Sequence, residues 1–146
     1  MTLVRSVWLP CTVARAFELF TGEVGAWWPP ERRHAGDGGG EMFLLASGRF
    51  YERAGDGREV ELGRVRAWEP PARLLLDFYP GTDADHPTEV EGAFAAEGEG
   101  ARVTVTHRAT AASAALFGPR APRYAASWDV VLPALARAAG ELVSGN

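Results

Sequence analysis

Two hydrophobic periods divide the chain, and the change from one to the other limits the fold more than any motif does. Between Glu41 and Arg108, apolar and polar residues alternate in short runs separated by turn residues. From Tyr124 onward the pattern changes: Tyr124, Trp128, Val131, Leu135, Ala138 and Leu142 recur at spacings of four and three. Period two marks a half-buried strand, and the four-three spacing marks a helix with one buried face. Successive strands followed by one long helix predict an antiparallel sheet with helices gathered on one side, an α+β fold.

The element boundaries follow from local signals. Thr2–Leu9 reads as a strand stopped by Pro10, and Thr12 can cap a helix that buries Val13, Ala16, Phe17 and Phe20. Gly22 and Gly25 break it, and a short helical turn holds Ala26, Trp27 and Trp28 before Pro29-Pro30. Glu31 to Gly40 reads as a polar, glycine-rich loop. Strands are expected at Glu41–Ala46, Gly48–Arg53, Glu59–Trp68, Arg73–Tyr79, Thr88–Ala96 and Arg102–Arg108. Gly55-Asp56-Gly57 and Gly98-Glu99-Gly100 supply hairpin turns, because Asp-Gly and Gly tolerate positive φ. Pro133 is expected to bend the last helix. With 146 residues, the chain fits one domain over 1–146.

Composition removes several functions. All 15 basic residues are arginine, so a P-loop lysine and Schiff-base chemistry are excluded. A net charge of -4 argues against a nucleic-acid partner. No apolar run reaches about 18 residues, so no membrane-spanning helix is expected. Cys11 is the only cysteine, which rules out an internal disulfide and fits a cytoplasmic setting. No cofactor or metal is expected. Asp83-Ala84-Asp85-His86 has no second ligand cluster and reads as a solvated turn. Gly36 to Gly40 lacks the lysine and hydroxyl of a phosphate cradle, and Glu31-Arg32-Arg33-His34 reads as a solvated rim.

Alternation assigns strand faces. Leu74, Leu76 and Phe78 point inward, as do Val90, Gly92 and Phe94 on the next strand and Val103, Val105 and His107 on the last. Gly63 and Val65 share a face with Glu59 and Glu61, so the facing of that strand stays open. A bulge near Arg66 would return Trp68 to the inner face. Trp28, Phe50, Phe78, Phe94, Phe117, Tyr124 and Trp128, with Val65, Leu76 and Val105, can then border one space. Either they fill a core or they line a cavity. Glycines inside strands, Gly63 and Gly92, favour room. His107 is the one candidate acid/base; Tyr51, Tyr124, Glu61 and Arg49 could assist it, and the opposing reading is a satisfied buried histidine.

Val13 to Phe20 followed by Trp27-Trp28, then Gly48-Arg49-Phe50, Gly63 with Val65, and Pro70-Pro71-Ala72-Arg73-Leu74 occur in a telling order. Thr88-Glu89-Val90, Val103 to His107 and Ser127-Trp128 complete it. In this order the chain resembles the START-like (SRPBCC) helix-grip superfamily, and within it the branch related to the activator of the heat-shock-protein-90 ATPase. The resemblance implies a curved antiparallel sheet of six or seven strands wrapped around a long C-terminal helix, with two short helices after the first strand. It further implies a cavity between sheet and helix that binds a hydrophobic, aromatic small molecule. Some members are polyketide cyclases, some confer antibiotic self-resistance and some are co-chaperones. Ligand binding is therefore the expected function. The alternatives are a cyclase-like or hydrolase-like enzyme using His107, and an interaction module with a protein partner.

Overall fold

A computed structural model describes residues 2–35 and 40–144, with side chains described through Glu141. The glycine segment 36–39 and the side chain of Leu142 lie outside these. Seven strands form one antiparallel sheet: β1 (Thr2–Leu9), β2 (Glu41–Leu44), β3 (Arg49–Arg53), β4 (Glu59–Glu69), β5 (Arg73–Phe78), β6 (Thr88–Glu97) and β7 (Gly100–Arg108). The spatial order is β1-β7-β6-β5-β4-β3-β2, so β2 to β7 meander and β1 closes beside β7. Helices α1 (Val13–Phe20), α2 (Val24–Trp27) and α3 (Ala114–Ser144) cover the inner face, giving the helix-grip arrangement.

Thr12 caps α1 as expected, its Oγ1 accepting from the Arg15 N–H at 3.1 Å. The face of α1 that carries Ala16, Phe17 and Phe20 is buried. Glu31 to Gly40 is not loop throughout, because Pro30–Arg32 forms a 3₁₀ turn with proline at its start. Helix α3 begins ten residues before Tyr124, the first residue of the apolar stripe. Gly118, Pro119 and Pro122 look like breakers, yet Phe117 and Ala121 are buried in the core, and that packing overrides local propensity. Pro133 sits on an exposed side of α3.

The facing of β5, β6 and β7 follows the alternation: Leu74, Leu76, Phe78, Val90, Phe94, Val103, Val105 and His107 are all buried. The opposite face carries cross-strand ion pairs such as Arg73–Glu91 at 2.7 Å and Arg108–Glu89 at 2.8 Å. Strand β4 has two irregularities. The expected one falls at Arg66, where Val65 pairs with Leu76 but Ala67 with Leu75, and Trp68 returns to pack edge-on against Phe17. The second lies at Leu62, between Gly63 opposite Phe50 and Glu61 opposite Tyr51. That extra residue resets the parity. Glu59 and Glu61 therefore face solvent and pair with Arg49, while Gly63 and Leu62 are buried. Arg49 also lies over the Tyr51 ring on this outer surface, so Tyr51, Glu61 and Arg49 are not placed to assist His107.

The interior glycines do not create room. A Cβ on Gly63 would come within 2.2 Å of the Asp77 carbonyl oxygen, so glycine there lets two strands approach at the bulge. The space over Gly92 is occupied by the Phe94 ring, 3.3 Å from where a Cβ would be. Both positions are filled by neighbours, and the cavity of this fold arises elsewhere.

Candidate functional site

A cavity of about 360 Å³ opens where the inner face of the sheet, α3 and the segment after α2 converge. Its walls are Trp28, Phe78, Tyr124 and Trp128. Its mouth is formed by Glu31 to His34, by Pro80 and Gly81 after β5, and by Arg123 and Ser127 on α3. A volume of this size, apolar inside and polar at the rim, is what a small-molecule site requires. The aromatic walls are fixed by one another. Trp28 meets Trp128 edge-on at 6.0 Å between centroids, and Phe78 lies tilted against Trp128 at the same distance.

The segment 30–35 acts as a strap across this corner, and two anchors hold it. Arg33 donates to the carbonyls of Trp28, Gly25 and Gly40, the Gly25 bond being 2.8 Å. Glu52, only 2% exposed, accepts from the backbone N–H of His34 at 2.7 Å and of Ala35 at 3.3 Å. A buried carboxyl on an inner strand is costly unless its oxygens are bonded, and here both are. Glu52 and the strap were missed in the sequence because Glu-Arg-Arg-His reads as solvated; nothing local marks a polar run anchored from below. Gly81 faces the cavity from the other side with φ +81°, and a Cβ there would lie 2.6 Å from the Tyr124 hydroxyl. The Tyr124 hydroxyl donates to the Pro80 carbonyl at 2.8 Å, and burial raises its pKa above the usual phenol value.

His107 stands behind the aromatic wall. It is fully buried, 5.1 Å from the Phe78 ring and 4.3 Å from the Tyr124 ring by centroids. The indole N–H of Trp128 donates to its Nδ1 at 3.1 Å. Its Nε2 lies 2.8 Å from Thr88 Oγ1, and the Thr88 hydroxyl donates onward to the Phe78 carbonyl at 2.9 Å. Those partners assign the proton to Nε2, giving a continuous chain from Trp128 through His107 and Thr88 to Phe78. Burial holds the imidazole pKa down at about 3, so it is neutral at physiological pH. Neither nitrogen is free for a ligand. His107, expected as the acid/base candidate, is thus engaged by protein partners and is not among the residues lining the cavity.

The other expected lining residues divide into groups. Trp28, Phe78, Tyr124 and Trp128 border the cavity. Phe50 backs Trp28 and Phe78, and Phe117 packs between His107 and Tyr124. Phe94 belongs to a second aromatic group with Phe17 and Phe20 under α1. Leu76, Val105 and the partly buried Val65 are core residues outside the cavity lining. In the loop after β5, Asp83 accepts from the Asp85 N–H and lies 2.7 Å from His86 Nδ1, closing the expected turn on itself. Among the described residues, no group of three His, Cys, Asp or Glu is arranged to hold a metal ion. No helix among them is long and apolar enough to cross a membrane.

Residues 10–139 match the family model described as activator of Hsp90 ATPase homolog 1-like protein. The chain belongs to that family. A search of curated proteins finds no match. Among solved structures, this member of the activator of Hsp90 ATPase homolog 1-like family is similar to CalC from Micromonospora echinospora, a self-sacrificing resistance protein. The likeness is 24% identity over 96% of this chain and 94% of CalC, with a TM-score of 0.74. It is also similar to Txn09, an anthrahydroquino-gamma-pyrone synthase, at 30% identity over 73% of this chain and 75% of that one, TM-score 0.52. DynU16, a protein of the dynemicin biosynthetic locus, matches 99% of this chain at 20% identity and TM-score 0.62. This chain spans about half the length of DynU16, 48%.

Proposed function

We propose that this protein binds a hydrophobic, aromatic small molecule in the cavity between the sheet, the strap and α3. The observation that carries this reading is the four-ring wall of Trp28, Phe78, Tyr124 and Trp128 around about 360 Å³. Burying a flat apolar ligand there gains about 25 cal/mol per Å² before the costs of association. The names of similar proteins support it, since a resistance protein, a pyrone synthase and a protein of a biosynthetic locus share the fold.

Calorimetric titration with 2-naphthamide, a neutral two-ring probe, tests the reading. Ser127 lies at the mouth on α3, and a Ser127→Trp side chain would occupy the space. Wild-type protein is expected to bind the probe, and S127W to lose at least about tenfold in affinity. Binding that is unchanged in S127W would place the probe elsewhere and end this assignment.

A cyclase-like activity is the second reading, favoured by the 30% identity to Txn09. His107 is then replaced as the acid/base candidate by groups that border the cavity, Tyr124 and the exposed His34.

A further inference from the structure

The charge around the cavity mouth runs against the charge of the whole chain. The protein carries a net charge of -4, yet the cavity is lined by three arginines, Arg32, Arg33 and Arg123, against one glutamate, Glu31. Of the twelve arginines elsewhere, nine lie within 4.0 Å of a carboxylate among the described residues, and Arg64, Arg120 and Arg137 do not. Arg33 uses its guanidinium on three backbone carbonyls of the strap and its neighbours. Arg32 and Arg123 have neither kind of partner among the described residues, and Glu31 forms no ion pair with them. The Nε of Arg32 is also buried without an acceptor. A desolvated guanidinium N–H without an acceptor is unfavourable, and such a group calls for an explanation.

Resting on the binding reading above, we propose that the aromatic ligand carries an anionic oxygen group, of carboxylate type, held at the mouth by Arg32 and Arg123. The ring system stacks among Trp28, Phe78 and Trp128, and the charged end meets the guanidinium forks. Guanidinium geometry suits a carboxylate because two N–H groups can bond its two oxygens in parallel. The ligand would supply the acceptor that Arg32 Nε lacks. Desolvation at the cavity edge strengthens such contacts relative to those on the open surface.

The test pairs 2-naphthoate with 2-naphthamide, which share a ring system and differ in charge. Calorimetry on the wild-type protein is expected to show naphthoate bound about tenfold more tightly, an advantage that shrinks as salt rises. Arg32→Gln and Arg123→Gln should each reduce that advantage, read as the naphthoate-to-naphthamide affinity ratio within each variant, at least about threefold. Equal affinity for the two probes in the wild type would overturn the anionic-ligand inference and leave the aromatic cavity standing. A preference that survives both substitutions would remove these arginines from the assignment. If neither probe binds, the binding reading itself fails, and this inference fails with it.

Discussion

Replacing His107 with leucine is expected to lower stability by about 3 kcal/mol, through a broken polar chain and imperfect refilling of the site. For a domain of this size that corresponds to roughly 6–12 °C in melting temperature. The Trp128 indole N–H loses its acceptor, and Thr88 Oγ1 loses the donor on its other side, both inside the core. The same residue imposes a pH dependence with a defined sign. In the unfolded chain the imidazole takes up a proton near its ordinary value of 6.5, whereas in the fold it resists until about 3. Its folded pKa is depressed, so the unfolded state binds the extra proton as pH falls through 6.5. Stability is thus complete above that value and is lost at about 1.4 kcal/mol per pH unit on the way down to about pH 3. Urea unfolding at about pH 7 and about pH 5 should differ by roughly 2 kcal/mol from this group. That window lies above the ordinary carboxylate range, and Glu23, Glu59, Asp56, Asp83 and Glu97 are all held lower still. H107L should be less stable at both pH values and lack this difference. An undiminished difference in the variant would show that another group titrates.

Glu52→Ala is expected to have the second large effect, and to couple stability to binding. The change leaves the His34 and Ala35 N–H groups without their acceptor beneath the strap, a loss of about 2–4 kcal/mol. The strap carries Glu31, Arg32, Arg33 and His34 along one side of the cavity. Arg33 still ties it to the Trp28, Gly25 and Gly40 carbonyls, so the protein should fold with a looser wall. Affinity for 2-naphthamide is then expected to fall about tenfold, the ligand having to order the segment on binding. Glu52→Gln retains one acceptor oxygen and should fall between the two. Reduced stability with unchanged affinity would mean that Arg33 alone sets the wall.

Where each signal is local, the sequence reading and the structure coincide. Asp77 between Leu76 and Phe78, and Glu89 and Glu91 on either side of Val90, fix the inner faces of β5 and β6, and Asp-Gly marks a hairpin. Facing in β4 was not legible, because two bulges change its parity and only the one near Arg66 left a sign in the pattern. The early start of α3 is a tertiary effect, with burial of Phe117 and Ala121 outweighing Gly118, Pro119 and Pro122. His107 was correctly turned inward. Its partners were invisible, since Thr88 and Trp128 lie 19 and 21 residues away and meet it only in the fold. The strap was hidden for a similar reason. Its Arg33 side chain reaches backbone carbonyls and its backbone N–H groups reach a buried carboxyl, which no composition of six residues can announce.

The five indole N–H groups offer the most direct test of the aromatic cavity, because their positions in the fold differ. Trp28 donates to the Arg32 carbonyl and Trp128 to His107, both at the cavity wall. Trp8 donates to the Glu97 carbonyl on the sheet edge, and Trp68 packs on Phe17 beside the groove under α1. Titration of 2-naphthamide followed by the indole N–H resonances should move Trp28 and Trp128 most and leave Trp8 in place. Shifts centred on Trp68, or none at any indole, would contradict the cavity as the site of binding.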